Sequence, residues 1–145
     1  MIDKSNPEHQ INPLETCLAD IVGKDNVLTS PYDLDRYSAD ALHPFRVYSR
    51  TNLADQLAQV VVRPANTDEV SKIVTLANSH KTPLVPYGGG TGVMGAVIPL
   101  QSGIAIDVRR MNRVLAIERE ERLAVVQPGV VLADVGAAAA EQGLQ

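Results

Sequence analysis

Five glycines fall within eight residues, at positions 88, 89, 90, 92 and 95, directly after the short apolar stretch Leu84-Val85. They are half of the ten glycines in the chain. Glycine allows positive φ and close approach of another molecule to the backbone. Successive amide N–H groups in such a loop can face one concavity and hold an anion, for which a pyrophosphate is the obvious candidate. The plain alternative is a glycine-rich turn with no ligand, but ordinary strand turns rarely need five glycines.

Gly90-Thr91-Gly92-Val93-Met94-Gly95 matches G-x-G-x-x-G letter for letter. A dinucleotide-binding Rossmann unit requires a helix to open within that motif, with its N-terminus facing the pyrophosphate. Here Ala96-Val97-Ile98 leads into Pro99, with Gly103 beyond, and a proline there interrupts the first turns of such a helix. Asp107 follows too closely to leave room for a crossover helix. The nicotinamide reading is therefore the weaker one. A triphosphate P-loop is excluded by the absence of G-x-x-x-x-G-K-[ST].

Around the loop, Asn12-Pro13-Leu14-Glu15 reads as a helix start with Asn as cap and Pro in first position. Leu14, Leu18, Ile21 and Val22 then share a face, and Gly23 ends the helix. Cys17, the one cysteine, is placed on the apolar side as a small core residue, with no partner for an internal disulfide. Residues 24–56 show no period and read as an irregular connecting arm in which Asp33, Asp35 and Asp40 are solvated or cap. Val60-Val61-Val62 predicts a buried strand, Asn66 or Thr67 caps a helix ending near His80, Leu84-Val85 starts a second strand, and Ile104–Val108 is a third. Strand, helix, strand predicts a parallel pair with a crossover. Arg109-Arg110, after that third strand, is expected to be exposed. Val114–Ile117 and Leu123–Val126 predict a hairpin around the solvated turn at 118–122, closed by Gln127-Pro128-Gly129. Leu132, Val135, Gly136 and Ala139 give a last helix that Gly143 caps.

Thirteen basic against seventeen acidic residues, one Phe and no Trp argue against a nucleic-acid partner. His9, His43 and His80 lack metal spacing. The polar N-terminus carries no apolar signal-peptide core and no stretch is long and apolar enough to span a bilayer, so the expected setting is cytoplasmic.

Val61-Val62-Arg63-Pro64, Glu69-Val70, Pro83-Leu84-Val85-Pro86, Gly88-Gly89-Gly90-Thr91-Gly92, Ile106-Asp107 with Met111-Asn112, and Gln127-Pro128-Gly129-Val130 occur in that order. The ordered set resembles the FAD-binding domain of the vanillyl-alcohol oxidase and p-cresol methylhydroxylase superfamily, nearest to FAD-linked D-lactate dehydrogenase and glycolate oxidase type proteins. The resemblance runs from about residue 59 to the end. It implies an α+β fold: an α/β first lobe with a small parallel sheet flanked by helices, followed by the start of an antiparallel second lobe. The implied division is 1–58 for the first helix and arm, 59–113 for the first lobe and 114–145 for an incomplete second lobe.

The resemblance places Pro86, Tyr87, Gly88, Gly89, Gly90, Thr91 and Gly92 along the FAD pyrophosphate, continued by Met94 and Gly95. Gln127, Gly129 and Val130 approach the flavin from the second lobe. For Tyr87, packing and flavin contact are equally open. Thr91 stands where some relatives carry a His that bonds FAD covalently, which implies non-covalent FAD. The implied activity is oxidation of a 2-hydroxy acid such as D-lactate or glycolate. The rest of the second lobe and the substrate domain are expected outside these residues, so the chain reads as an N-terminal fragment with no catalytic residue. A small-molecule substrate is then expected only for the intact protein, and self-association through unpaired sheet edges is expected for this chain. A nicotinamide-binding protein or a non-catalytic remnant are the competing readings.

Overall fold

The computed structural model describes residues 12–41 and 57–144. His9, His43, Pro44 and the polar N-terminal stretch lie outside these. Helix α1 spans Pro13–Val22, capped by the Asn12 side chain, which accepts from the Leu14 N–H at 3.1 Å. A 3-10 turn at Lys24–Asn26 leads to strand β1, Val27–Leu28, and helix α2, Pro31–Tyr37. After β2 (Val60–Val62) comes α3, Thr67–His80, then β3, Leu84–Tyr87. Strand β4 (Ile104–Asp107) runs into a 3-10 turn at Val108–Arg110. The hairpin β5 (Val114–Glu118) and β6 (Leu123–Val126) precedes α4, Leu132–Glu141.

The first sheet has the order β1-β2-β4-β3. Strands β2 and β3 both run parallel to β4, which lies between them, while β1 is antiparallel to β2. The expected parallel orientation holds, but β2 and β3 are not neighbours. The reason is visible in burial. All four residues of β4 are buried, as a strand covered on both faces requires. Pro86 in β3 lacks a donor and suits a strand with one free edge.

Alternation divides the core by sheet face. Val60, Val62, Ile104 and Ile106 pack with Leu14, Leu18 and Val22 of α1 and Ile73 and Ala77 of α3. Val61 and Ala105 face the other way and pack with Tyr37, Ala58 and Tyr87. Helix α3 starts in a reciprocal cap: Asn66 Oδ1 accepts from the Glu69 N–H at 2.9 Å, and Glu69 carboxylate oxygens accept from Asn66 Nδ2 and from the Ala65 N–H.

Three expectations change. Cys17 is exposed, because the buried seam of α1 is the narrow row Leu14, Leu18, Val22 and Cys17 falls off it. Residues 24–41 of the supposed irregular arm contribute β1 and α2. Strand β4 ends at Asp107, and Val108 already belongs to the following turn.

The second sheet is the two-stranded β5-β6 pair, antiparallel with a bulge between Val114 and Ala116. Its connecting turn is exposed, with Arg122 at φ 54°. Gln127 closes the hairpin as expected: its N–H donates to the Arg113 carbonyl at 2.9 Å, and its Oε1 accepts from the Arg113 N–H at 3.0 Å. Gly143, at φ 71°, follows α4 and donates its N–H to the Ala140 carbonyl. Among the described residues no helix is long and apolar enough to cross a membrane, and no group of three metal-ligating side chains comes together.

Candidate cofactor site

Parallel β3 and β4 end together, with Tyr87 in register with Asp107. The glycine loop leaves the sheet at that end, where open α/β sheets place their ligands. No helix opens between residues 88 and 103. The dipole-bearing helix that a Rossmann site requires is therefore missing.

The loop's shape rests on two glycines in the left-handed region, Gly90 at φ 67° and Gly95 at φ 81°. Beneath Gly90 lies Tyr87, and a Cβ on Gly90 would stand 2.2 Å from the Tyr87 hydroxyl oxygen. By contrast, a Cβ on Gly88 or Gly92 would meet nothing within 4 Å. Those two glycines leave open space that their own fold does not use. Among the described residues, the N–H groups of Gly89, Gly90, Thr91 and Gly92 donate to no protein acceptor. A row of backbone donors beside open space is what an anionic pyrophosphate would use. Pro86, Thr91 and Met94 are exposed, Met94 strongly so at 87%.

Tyr87 is buried, and its ring centre lies 4.7 Å from that of Tyr37 at a tilt of 56°. It therefore supports the loop from below. The Tyr37 hydroxyl donates to Asp107 Oδ2 at 2.6 Å. Arg109 grips the same carboxylate with Nε on Oδ1 at 2.9 Å and Nη2 on Oδ2 at 2.8 Å, and Nη2 also donates to the Tyr37 hydroxyl. The Arg109 N–H adds a further bond to Oδ1 at 2.9 Å. The guanidinium carbon stands 5.3 Å from the centre of the Tyr37 ring and 5.8 Å from that of Tyr87. Arg109, expected to be exposed, is thus half-buried and bonded through Nε and Nη2, because it neutralises a carboxylate at the C-terminal end of β4.

Burial by itself would raise the Asp107 pKa, but the hydrogen bonds from Arg109 and Tyr37 outweigh it and hold the carboxyl below its ordinary value. Tyr37 is pushed up to about 12, first by burial and then by its bond to Asp107. The bond to Asp107 raises Arg109 as well, against the opposing effect of burial.

The far end of the loop is held from residues 40 and 41. Asp40, buried at 6% exposure, accepts from the Gly95 N–H at 2.9 Å, and the Ala41 N–H donates to the Gly92 carbonyl at 3.1 Å. Asp40 is accordingly buried rather than solvated.

Gln127, Gly129 and Val130 lie on the turn after β6, with the Val130 N–H on the Gln127 carbonyl at 3.2 Å. The Gly129 N–H donates to the Met111 carbonyl at 2.9 Å, and a Cβ on Gly129 would stand 2.2 Å from the Val108 carbonyl oxygen. The turn is thus seated on residues 108–111, directly after Asp107. This turn and the glycine loop share the C-terminal end of the parallel sheet. Tyr37, Asp40, Asp107 and Arg109 were not singled out from sequence as site residues. A charged pair at the end of an otherwise apolar strand was the available signal for the last two.

The chain belongs to the FAD-binding domain family of the vanillyl-alcohol oxidase and p-cresol methylhydroxylase type, its residues 58–145 matching the model described as "FAD binding domain". It is 37% identical over 97 residues to glycolate oxidase subunit GlcD of Bacillus subtilis (strain 168), covering 67% of this chain and 21% of that protein. It is 34% identical over 141 residues to the mitochondrial D-lactate dehydrogenase [cytochrome] of Arabidopsis thaliana, covering 97% of this chain and 23% of that protein. The chain thus spans between about a fifth and a quarter of these relatives. Among solved structures, p-cresol methylhydroxylase shares the fold with a TM-score of 0.75 at 23% identity, over 99% of this chain and 27% of that one. The 4-ethylphenol oxidase from Gulosibacter chungangensis gives a TM-score of 0.78 at 25% identity, over 99% of this chain and 27% of that one.

Proposed function

We propose that this chain holds FAD non-covalently by its pyrophosphate, as part of an oxidoreductase that acts on a 2-hydroxy acid such as D-lactate or glycolate. The observation that carries the reading is the row of unpartnered N–H groups from Gly89 to Gly92, beside open space at Gly88 and Gly92, with no helix behind it. Pro86, Tyr87, Gly88, Gly89, Gly90, Thr91 and Gly92 line or support the pyrophosphate, Met94 and Gly95 continue that wall, and Gln127, Gly129 and Val130 approach the flavin. Thr91 offers no imidazole for a covalent link. FAD supplies the redox chemistry as hydride acceptor; the protein's part is to bind and orient it. Residues 59–113 form the lobe under the pyrophosphate and 114–145 begin the lobe over the flavin. The substrate class is supported by the names of relatives such as glycolate oxidase subunit GlcD and D-lactate dehydrogenase. The cytoplasm is the proposed location. No catalytic residue is assigned within this chain.

The test is titration of FAD and of NAD into the purified chain, followed by flavin fluorescence and by calorimetric heat. Saturable FAD binding with no NAD binding is expected. Binding of NAD without FAD would overturn the assignment.

A further inference from the structure

We infer that residues 37–41 set the shape of the glycine loop before any cofactor arrives, and that Asp40 is the positioning residue in that segment. A loop with five glycines has wide conformational freedom, which an anion would otherwise have to restrict on binding. The segment meets the loop at both ends. At the near end, the Tyr37 ring packs on Tyr87, whose hydroxyl lies under Gly90. At the far end, Asp40 takes the Gly95 N–H and the Ala41 N–H takes the Gly92 carbonyl.

The segment is itself anchored independently of the loop. The Ser38 hydroxyl donates to the Leu34 carbonyl at 2.6 Å and accepts from the Ala58 N–H at 2.7 Å, just before β2. Tyr37 is tied to Asp107 at the end of β4. The grip on the loop therefore comes from a fixed body. A carboxylate beside a pyrophosphate site is electrostatically unfavourable for the anion. What this one supplies to the loop is an acceptor oxygen aimed at the N–H of a positive-φ glycine.

The inference rests on the reading that the loop takes FAD, and its test separates the two. Wild type, Asp40→Ala and Asp40→Asn are compared first without cofactor, by amide hydrogen exchange at Gly95, and then by FAD titration. Asp40→Asn keeps an acceptor oxygen and removes the charge. It should retain Gly95 protection and bind FAD within about twofold of wild type, whereas Asp40→Ala should lose protection and bind about tenfold more weakly. A wild type that does not bind FAD refutes the proposed function, while the exchange comparison still decides this inference. Wild-type protection and affinity in Asp40→Ala would overturn it, and so would an Asp40→Asn as impaired as Asp40→Ala. Should Asp40→Ala not fold, Ala41→Pro at that exposed position removes the N–H bonded to Gly92. Unchanged FAD affinity in that variant would equally overturn the inference.

Discussion

Replacing the loop glycines one at a time by alanine should separate those that shape the fold from those that leave room for a ligand. Gly90 has φ 67°, and a Cβ there would stand 2.2 Å from the Tyr87 hydroxyl oxygen and 2.8 Å from Cζ. An L-residue in the left-handed region costs about 1–2 kcal/mol. The Tyr87 ring cannot swing away freely, because it is buried against Tyr37 and under Arg109. Forcing it aside adds about 1–3 kcal/mol, the usual range for overpacking. Gly90→Ala should therefore destabilise the chain by about 2–5 kcal/mol. Gly88 and Gly92 lie outside the positive-φ region and face nothing within 4 Å. Alanine there should change stability by less than about 1 kcal/mol. Each new methyl would nevertheless occupy the open space proposed for the pyrophosphate, and FAD affinity should fall by about tenfold, as for one lost charge-assisted hydrogen bond. Urea unfolding followed by circular dichroism and FAD titration of the three variants give the two axes. A Gly90→Ala variant as stable as Gly92→Ala would refute the supporting role of Tyr87. Wild-type FAD affinity in both Gly88→Ala and Gly92→Ala would refute the ligand's approach along that face.

Asp107→Ala strands the buried Tyr37 hydroxyl and the Arg109 guanidinium; because Arg109 is partly exposed, the expected loss is about 2–3 kcal/mol, below the range for a fully buried pair. The folded-state pKa of Asp107 is depressed, so its stabilisation is complete above the ordinary value of 3.8 and is lost as pH falls through the depressed value. Unfolding midpoints measured down the acid range should show that loss in wild type and less of it in Asp107→Asn. Tyr37 is raised from 10.0 to about 12, so its stabilisation holds below pH 10.0 and fades as pH rises through about 12. Tyrosinate absorbance should show one late-titrating phenol that Asp107→Asn moves toward the ordinary value. Finally, β6 is exposed along its whole length, with Leu115, Leu123 and Val125 about half exposed and Leu132 at 82%. An isolated two-stranded hairpin is marginal, and an unpaired edge invites pairing. Sedimentation should therefore detect self-association, reduced by Val125→Lys; a monomer at all concentrations would contradict this.

What the sequence made legible was local chemistry. Asn12 before Pro13 and Gly143 after α4 are capping arrangements that act within a few residues and are found as read, and of the two candidates Asn66 and Thr67 the structure uses Asn66, with Glu69 returning to it. Ser30-Pro31 before Asp33 carries the same signature, and in the structure Ser30 caps α2. A seven-residue helix is too short to show an apolar period, so the cap is the one local signal it carries. Strand order was partly written as well. The four-residue run of β4, buried throughout, reads as a central strand, and Pro86 marks β3 as a strand with a free edge.

The candidate site divides along the same line. Its donors come from consecutive glycines and are visible as a run, whereas its supports come from partners far apart in the chain. Tyr37 reaches Asp107 across 70 positions and Asp40 reaches Gly95 across 55. Neither residue looks different from a solvated loop residue in its own neighbourhood. The sequence nevertheless holds one clue in Asp107 and Arg109. A carboxylate at the end of a strand buried on both faces must find donors or lose its charge. One donor set stands two residues later, and the second had to come from elsewhere. The Tyr37 hydroxyl meets that demand, and in doing so it brings α2 and the residues after it under the glycine loop. The requirement to satisfy one buried carboxylate therefore links an apparently featureless stretch to the candidate cofactor site.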